Sequence, residues 1–481
     1  MRALRLGDVE PSDKARSGLS SLRLLQDPKE AFAARLWLIR SAWRTLDVQY
    51  YIWHDDLSGS LLLDEIVSAA RRGVAVRLLI DDNGIGGLDA RLALLDAEPS
   101  VAVRLYNPFR MRRFRGLEWL FAFRRLNSRI HAKSLTADRH MTILGGRNIG
   151  DEYFGARSKG QFDDLDVIAT GPVAAEVEQV FEHHWQSTAV HSVAAVVGRI
   201  PASAKRSAAQ KAETTARSAA AKSYLAAIEA QPLFADLQHS RVNWVKAPAH
   251  AIAVMPDHAA DRQHGSTGLH ELMPQSLASP TSDLILISGY FVPTAQGCSE
   301  LSDLRRRGAR IRVLTNSFAA TDVGIVHAGY APCRKTLLQR GIELFEMPAP
   351  DDAPKRTRAK FIRSGSMRAR RFSGKSLHAK LYIVDRRHFY VGSANFDPRS
   401  ARLNTELGIV IESATLSEQL AEAFEMASHN SYRLGLSPDG ALSWTDERDD
   451  QPTPERTEPG TNMFTRSMIG LLAKLSIDSQ L

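Results

Sequence analysis

Cysteine is nearly absent from this chain: Cys298 and Cys333 are the only two in 481 residues. Two isolated thiols offer neither a disulfide framework nor a metal-ligand pattern, and they suit a reducing compartment. Long apolar runs are missing too. None approaches the roughly 18 residues that a membrane-spanning helix needs. The opening segment, MRALRLGDVEPSDKARSGLSSL, lacks the apolar stretch of a secretory signal. Acidic residues are in the minority, 54 against 62 Lys and Arg, which leaves a formal net charge of +8. That excess predicts attraction to polyanions, either nucleic acid or an anionic membrane. Hydrophobic content of 44% is ordinary for a globular chain, and the length allows two or more domains with real cores.

What the sequence does contain is a repeat. HAKLYIVDRRHFYVGSANFD starts at His378 and carries Lys380, Asp385, Gly392, Ser393 and Asn395. HAKSLTADRHMTILGGRNIGDEYF starts at His131 and carries Lys133, Asp138, Gly145, Gly146 and Asn148 at the same offsets. In a strand, residues i and i+2 face the same side, so His378, Lys380 and Tyr382 are expected to stand together while Ala379, Leu381 and Ile383 face away. A lone histidine in a strand is usually a packing residue. Two copies of one polar pattern, in register to the asparagine, argue against that reading here.

The repeat extends upstream. LDVQYYIWHDDLSGSLLLDEIVSAARRGVAVRLLIDDNG, from Leu46, reads strand, loop, helix, strand. SDLILISGYFVPTAQGCSELSDLRRRGARIRVLTNS, from Ser282, reads the same way. Strands alternating with helices predict βαβ units and a largely parallel sheet covered by helices. The fold class is therefore α/β, with two copies of one unit each delivering one motif.

Basic residues gather just ahead of both motifs. NPFRMRRFRGLEWLFAFRRLNSRIHAK interleaves seven arginines with large apolar side chains, and KRTRAKFIRSGSMRARRFSGKSLHAK begins at Lys355 in the matching place. Such a pattern predicts an anion-facing rim. It suits a bilayer interface and equally stacking on single-stranded nucleic acid. The alanine-rich stretch from Pro201 reads as a helical linker, and Pro438-Asp439-Gly440 as the tip of a hairpin. Phe464, Met468, Leu471, Leu472 and Leu475 recur at helical spacing, which fits a helix docked on its own protein or one lying in a membrane interface.

The paired motifs resemble those of the phospholipase D superfamily. LDVQYYIWHDD, GGRNIGDEYFGA and NSFAATDVGIVHAGY are similar, more narrowly, to bacterial cardiolipin synthases of the C type. The resemblance implies two similar phospholipase D-like α/β units, with mixed, mainly parallel sheets flanked by helices, packed as a pseudo-twofold pair with one shared active site. The expected layout is an N-terminal extension over 1–29, a first unit over 30–200, a helical linker over 201–240, a second unit over 241–435 and a C-terminal hairpin, linker and amphipathic helix over 436–481. Gly146 departs from the superfamily, which often has serine there, as Ser393 does in the second copy. The backbone N–H at Gly146 is expected to remain for phosphate.

The chemistry follows from the substrate's charge. A phosphodiester is an anion that repels nucleophiles, so positive charge, a nucleophile and a leaving-group acid are needed around it. Lys133, Lys380, Asn148 and Asn395 can donate to the non-bridging oxygens. One neutral imidazole can attack phosphorus to give a phosphohistidine, while the other protonates the departing alcohol and then deprotonates the incoming one. Free histidine titrates near ~6.5, so both states coexist near neutrality. The resemblance makes His131 the nucleophile and His378 the acid; the residues alone do not order them. It also calls for an acidic partner behind each imidazole. The best matches are Asp164 and Glu406, with Asp163 and Asp166 close enough to compete for the first assignment. Asp138 and Asp385 belong to the motif and are expected to hold its loop by ion pairing. His327 and Tyr330, in VHAGY, are candidates for the substrate pocket. No cofactor and no metal is called for, although the pairs Asp55-Asp56 and Asp81-Asp82 raise a metal-dependent phosphotransferase as a minor alternative.

The function implied is transfer of a phosphatidyl group to phosphatidylglycerol from phosphatidylglycerol or phosphatidylethanolamine. The alternatives are a phospholipase D releasing phosphatidic acid and a metal-independent nuclease of the same fold. The partners implied are an anionic phospholipid membrane surface and a helper protein encoded elsewhere, with no nucleic acid. The location implied is peripheral, on the cytoplasmic side of a bacterial inner membrane.

Overall fold

The computed structural model describes residues 18–157, 160–254, 279–321, 323–349, 376–463 and 465–467. The basic stretch preceding the second motif, up to residue 375, lies outside these residues, as do Phe464, Met468, Leu471, Leu472 and Leu475. The chain divides into two compact units. Unit 1 comprises Met1–Gln161, Leu165–Met255 and Leu403–Ile409; unit 2 comprises Phe162–Asp164, Pro256–Arg402 and Val410–Leu481.

Unit 1 is built on a nine-stranded sheet. Its order is Val245–Ala247, Ser20–Leu25, Asp166–Thr170, Met141–Gly145, Ser134–Ala137, Thr45–Ile52, Ala75–Gly84, Val101–Tyr106 and Val190–Ser192. Leu46, Val48, Leu78 and Ile80 are fully buried, so the central strands carry apolar side chains that leave no room for water. The helix Pro28–Ser41 starts where Asp27 accepts the N–H groups of Lys29 and Glu30, with proline at its first turn. Asp56 caps Leu57–Arg71 in the same way through Gly59. The alanine-rich segment forms two helices, Ala202–Arg217 and Ala219–Glu229, broken at Ser218. It packs as part of unit 1 rather than standing off as a linker. Tyr224 meets the Phe32 ring edge-on, and its hydroxyl donates to Phe154 O at 2.9 Å.

Unit 2 repeats the plan. Its strands run in the order His388–Gly392, Lys380–Val384, Asp283–Ser288, Arg310–Asn316, Glu343–Met347, Tyr432–Leu436, Leu442–Asp446 and Pro454–Glu455. Ile285, Leu286 and Ile287 are fully buried at its centre. The helix Ala295–Arg306 connects the first parallel pair, and Gly440 turns the hairpin between Leu436 and Leu442 with φ of +74°. Equivalent ion pairs mark the repeat: Arg77 with Asp47 in unit 1, Arg312 with Asp283 in unit 2.

The sheets are mixed, but they are not mainly parallel. In unit 1 Ala75–Gly84 is parallel to both its neighbours, Thr45–Ile52 and Val101–Tyr106, and the remaining neighbours pair antiparallel. In unit 2 Arg310–Asn316 is likewise parallel to Asp283–Ser288 and Glu343–Met347, with antiparallel strands beside them. The βαβ segments supply only those parallel strands. Each motif then arrives as a hairpin, which is antiparallel by construction.

Candidate active site

Each motif histidine sits just before the first strand of such a hairpin. In unit 1 the N–H of Ile130 donates to Asp81 Oδ2 at 3.0 Å, and the N–H of His131 donates to Thr405 O at 2.8 Å. The chain is thus pinned on both sides of the imidazole. His131 Nδ1 lies 2.8 Å from Glu406 Oε2 and 3.1 Å from Oε1, and Asn404 Nδ2 donates to that Oε1 at 3.3 Å. Lys133 Nζ donates to His131 O at 2.5 Å and lies 5.5 Å from the centroid of the Tyr51 ring. Tyr51 also meets the imidazole edge-on at 5.1 Å.

Unit 2 builds the same arrangement. Asn316 grips Leu377 twice, accepting its N–H at 2.9 Å and donating to its carbonyl at 2.8 Å. The N–H of His378 donates to Asp163 O at 2.8 Å, and His378 Nδ1 lies 2.5 Å from Asp164 Oδ2. Lys380 Nζ lies 3.0 Å from His378 Nδ1 and donates to the His378 carbonyl. The rings of Phe162 and Tyr290 lie 5.2 and 6.5 Å from the imidazole. Both histidines and both lysines are buried. A carboxylate on Nδ1 sets the orientation of the ring and leaves Nε2 as its other nitrogen.

The carboxylates cross the repeats. Asp164 follows the first motif but holds His378; Glu406 follows the second but holds His131. The competing acids do other work. Asp166 is a buried partner of Arg35 at 2.9 Å and Arg147 at 3.2 Å, while Asp163 presents its backbone carbonyl to His378 and Ala379.

Asp138 and Asp385 occupy the hairpin turns with φ of +54° and +52°. Backbone hydrogen bonds, not the expected ion pairs, tie them down. Asp138 accepts the N–H groups of Trp43, Arg44 and Thr45, and Asp385 those of Thr281, Ser282 and Asp283. Burial pushes the Asp385 carboxyl up, but these N–H donors outweigh it and hold it at about 2. Each aspartate therefore fastens its hairpin to the start of the strand beside it.

The asparagines and glycines are also held by the scaffold. Asn148 accepts from Ile52 N–H at 3.2 Å and donates to the Tyr153 hydroxyl at 3.1 Å. Asn395 receives its fix through Ser400 Oγ, which accepts its N–H at 3.0 Å; its Oδ1 is buried with no hydrogen-bond partner among the described residues. Ser393 is fully buried. The Gly146 N–H, anticipated as a phosphate contact, donates to Leu165 O at 3.1 Å. At Gly145 a Cβ would meet that same carbonyl oxygen at 2.4 Å, so the approach of these two segments requires glycine.

His327 and Tyr330 stand in a different environment from the pocket wall foreseen for them. His327 Nε2 lies 2.7 Å from Glu458 Oε1, and Arg334 bridges Glu458 and Glu346 at 2.7 and 2.8 Å while stacking on the Tyr330 ring. Tyr330 belongs to the apolar core of unit 2. A buried guanidinium needs carboxylates around it, and these residues complete that cluster.

Three of the arginines before the first motif, Arg112, Arg125 and Arg129, turn to carboxylates of the protein itself. Arg112 pairs with Asp82 and Asp89, Arg125 with Glu118, and Arg129 with Asp81. Burial of Asp81 pushes its carboxyl up to about 6 despite Arg129 beside it. Asp81 and Asp82 are thus occupied by arginines and backbone N–H groups, not placed to hold a metal. Among the described residues His54, Asp56 and Glu152 bring ligand atoms within 4.8 Å of one another. Their partners are already in the protein: His54 Nδ1 lies 3.0 Å from Glu152 Oε1, and Asp56 accepts the Gly59 and Asp151 N–H groups. Asp55 pairs with Lys211 at 2.5 Å. None of these touches a motif histidine, and no chemistry is assigned to them.

Tyr51, Phe162, Tyr290, Asn316 and Asn404 were not singled out from sequence. One signal was available for Asn316: it sits four residues after Arg312, as Asp81 sits four after Arg77, and both bind the backbone of the residue preceding a motif histidine.

Comparison with known proteins supplies the family and the fold. The family described as "Cardiolipin synthase, PLD-like domain" matches residues 36–185 and 273–427. Cardiolipin synthase C of Escherichia coli K12 is 39% identical over 475 residues, covering 98% of both chains. Cardiolipin synthase A of Pseudomonas entomophila is 26% identical, covering 84% of this chain and 68% of its own. The crystal structure of phosphatidylserine synthase from Haemophilus influenzae Rd KW20 superposes with a TM-score of 0.59 at 14% identity, covering 95% of this chain and 94% of that one, which shows a shared fold. With both histidine motifs intact and the match running nearly end to end, this chain belongs to the cardiolipin synthase family of phospholipase D-like proteins.

Proposed function

We propose that the protein is a cardiolipin synthase that moves a phosphatidyl group onto phosphatidylglycerol through a covalent phosphohistidine. The observation that carries this reading is the pair of buried His–carboxylate couples, each with a lysine at the histidine's own carbonyl. In the first half-reaction His131 Nε2 attacks phosphorus of the donor lipid. The bond from phosphorus to the headgroup oxygen breaks, and His378 gives that oxygen its proton. In the second, His378 takes the proton of the terminal hydroxyl of phosphatidylglycerol, whose oxygen attacks phosphorus as the P–N bond breaks. Lys133 and Lys380 counter the charge on the non-bridging oxygens. The donor is phosphatidylglycerol or phosphatidylethanolamine. Transfer rather than hydrolysis requires the acceptor alcohol to outcompete water at the phosphohistidine. The protein works at the cytoplasmic face of the inner membrane as a peripheral enzyme, with a helper protein that the family resemblance implies.

The test is incubation with vesicles of labelled phosphatidylglycerol, with and without phosphatidylethanolamine, beside a metal-free plasmid control. Cardiolipin that disappears in both His131→Ala and His378→Ala is the expected result. Phosphatidic acid alone would make the protein a lipase, and cut plasmid with inert lipid would make it a nuclease. Acid-labile label recovered on His378 instead of His131 would reverse the order of the two histidines.

A further inference from the structure

The segment leading into the first motif commits Arg112, Arg125 and Arg129 to carboxylates of the protein while several of its large apolar side chains face outward. Phe114 is 60% exposed, Leu117 44%, Phe121 82% and Phe123 40%. They lie on or beside the helix Arg115–Leu126, which follows a short 3-10 turn, Arg112–Phe114. Residues i and i+2 of an unbroken helix point to nearly opposite sides. Here Ala122 leaves helical geometry, with φ of −123° and ψ of 25°, and the break leaves Phe121 and Phe123 both exposed. Trp119 marks the inner side, packed on Phe109 with the Arg129 guanidinium over both rings.

Charge is arranged to match. Glu118 is the one acidic residue between Asn107 and His131, and it is buried, accepting the N–H groups of Arg110 and Met111 and pairing with Arg125. No carboxylate of this stretch faces outward to repel an anionic headgroup, and Arg110 is exposed beside the apolar side chains. Arg112, Arg125 and Arg129 are committed to the protein's own carboxylates, so apolar side chains outnumber guanidinium groups among the described side chains that are exposed here, which favours lipid over a strand of nucleic acid. Exposed large apolar side chains in a group are rare on a water-facing surface, and phenylalanine and leucine beside arginine are typical of groups that enter the boundary between headgroups and acyl chains.

We propose that Phe114, Leu117, Phe121 and Phe123 form a docking surface that inserts by apolar contact into a phospholipid bilayer. This rests on the reading of the protein as an enzyme of phospholipid substrates. It differs from electrostatic attraction by the net positive charge in one measurable way. Coulombic adsorption weakens as salt screens it, while apolar insertion does not.

The full-length chain is sedimented with vesicles of phosphatidylglycerol and phosphatidylethanolamine at about 0.1 M and about 1 M salt. The wild type is expected to bind at both. Leu117→Ser with Phe121→Ser should lower vesicle partitioning by at least about tenfold per side chain, while Arg110→Gln changes it far less. The unfolding midpoint reports that the variant is folded; if the double variant is not, Phe121→Ser alone carries the same comparison. Equal binding by variant and wild type overturns the proposal, as does wild-type binding that vanishes at high salt. Wild-type self-association without lipid, abolished by the substitutions, overturns it in favour of a second copy as the occupant. Failure of the enzymatic reading looks different: vesicle binding that depends on Phe121 with no cardiolipin formed leaves this surface standing and removes only the transferase.

Discussion

Glu406 follows His131 by 275 residues, yet its carboxylate lies 2.8 Å from the histidine's Nδ1. Asp164 holds His378 across 214 residues in the opposite direction along the chain. Each imidazole is oriented by an acid from the other repeat. Short segments, Leu403–Ile409 in unit 1 and Phe162–Asp164 in unit 2, bring these acids to their places.

Replacing Glu406 by Gln keeps the shape of that contact and removes its charge, and an amide can favour the wrong imidazole tautomer. Cardiolipin formation should fall by about 10²–10⁴-fold with little change in the unfolding midpoint. Asp164→Asn should do the same. Wild-type rates in both variants would remove these carboxylates from the mechanism.

Asp138→Ala takes a shared acceptor from three backbone N–H groups and places alanine at positive φ. Urea unfolding should show a loss of about 2–4 kcal/mol. Activity measured well below the new midpoint should persist, in contrast to His131→Ala. An inactive but fully stable variant would place Asp138 at the substrate instead.

Asn316→Ala leaves the Leu377 N–H and carbonyl without their partner next to His378. We expect a stability loss of about 1–3 kcal/mol together with slower turnover. Asn316→Asp keeps the acceptor, as Asp81 does in the first repeat, and should be milder than alanine. The reverse order would contradict the assigned role.

Glu458 supplies a pH dependence whose sign can be worked out. Burial raises its pKa, but the hydrogen bond from His327 and the charge of Arg334 outweigh burial and hold it at about 2, below the ordinary 4.5. Its stabilisation is complete above 4.5 and is lost as pH falls towards 2. Glu458→Gln should therefore cost on the order of 3 kcal/mol at pH 7, with the gap to wild type narrowing over that acid window. His327→Ala should lower the melting temperature without changing donor or acceptor preference; a changed preference at constant stability would return His327 to the substrate pocket.

Much of this was legible in the chain because it is local. The His, Lys and Asp offsets recur within about twenty residues. The strand period of two is not what places each His beside its Lys, because His131, Lys133 and His378 precede their strands and each lysine turns back to the histidine carbonyl. Apolar runs such as Leu284 to Ile287 marked buried strands correctly. The overestimate of parallel pairing came from extending the βαβ pattern of the upstream segments to the whole sheet, whereas each motif forms a hairpin that turns at Asp138 or Asp385.

The sequence by itself determined that the protein is a duplicated α/β chain with two histidine motifs, because repeat, period and spacing are properties of neighbouring residues. Only the tertiary structure decided which acid serves which histidine, that Arg112 and Arg129 turn to buried aspartates, and that His327 belongs to a buried ion-pair cluster. Those outcomes depend on burying charge beside charge from distant segments, and no local pattern records which distant carboxylate a buried cation will meet.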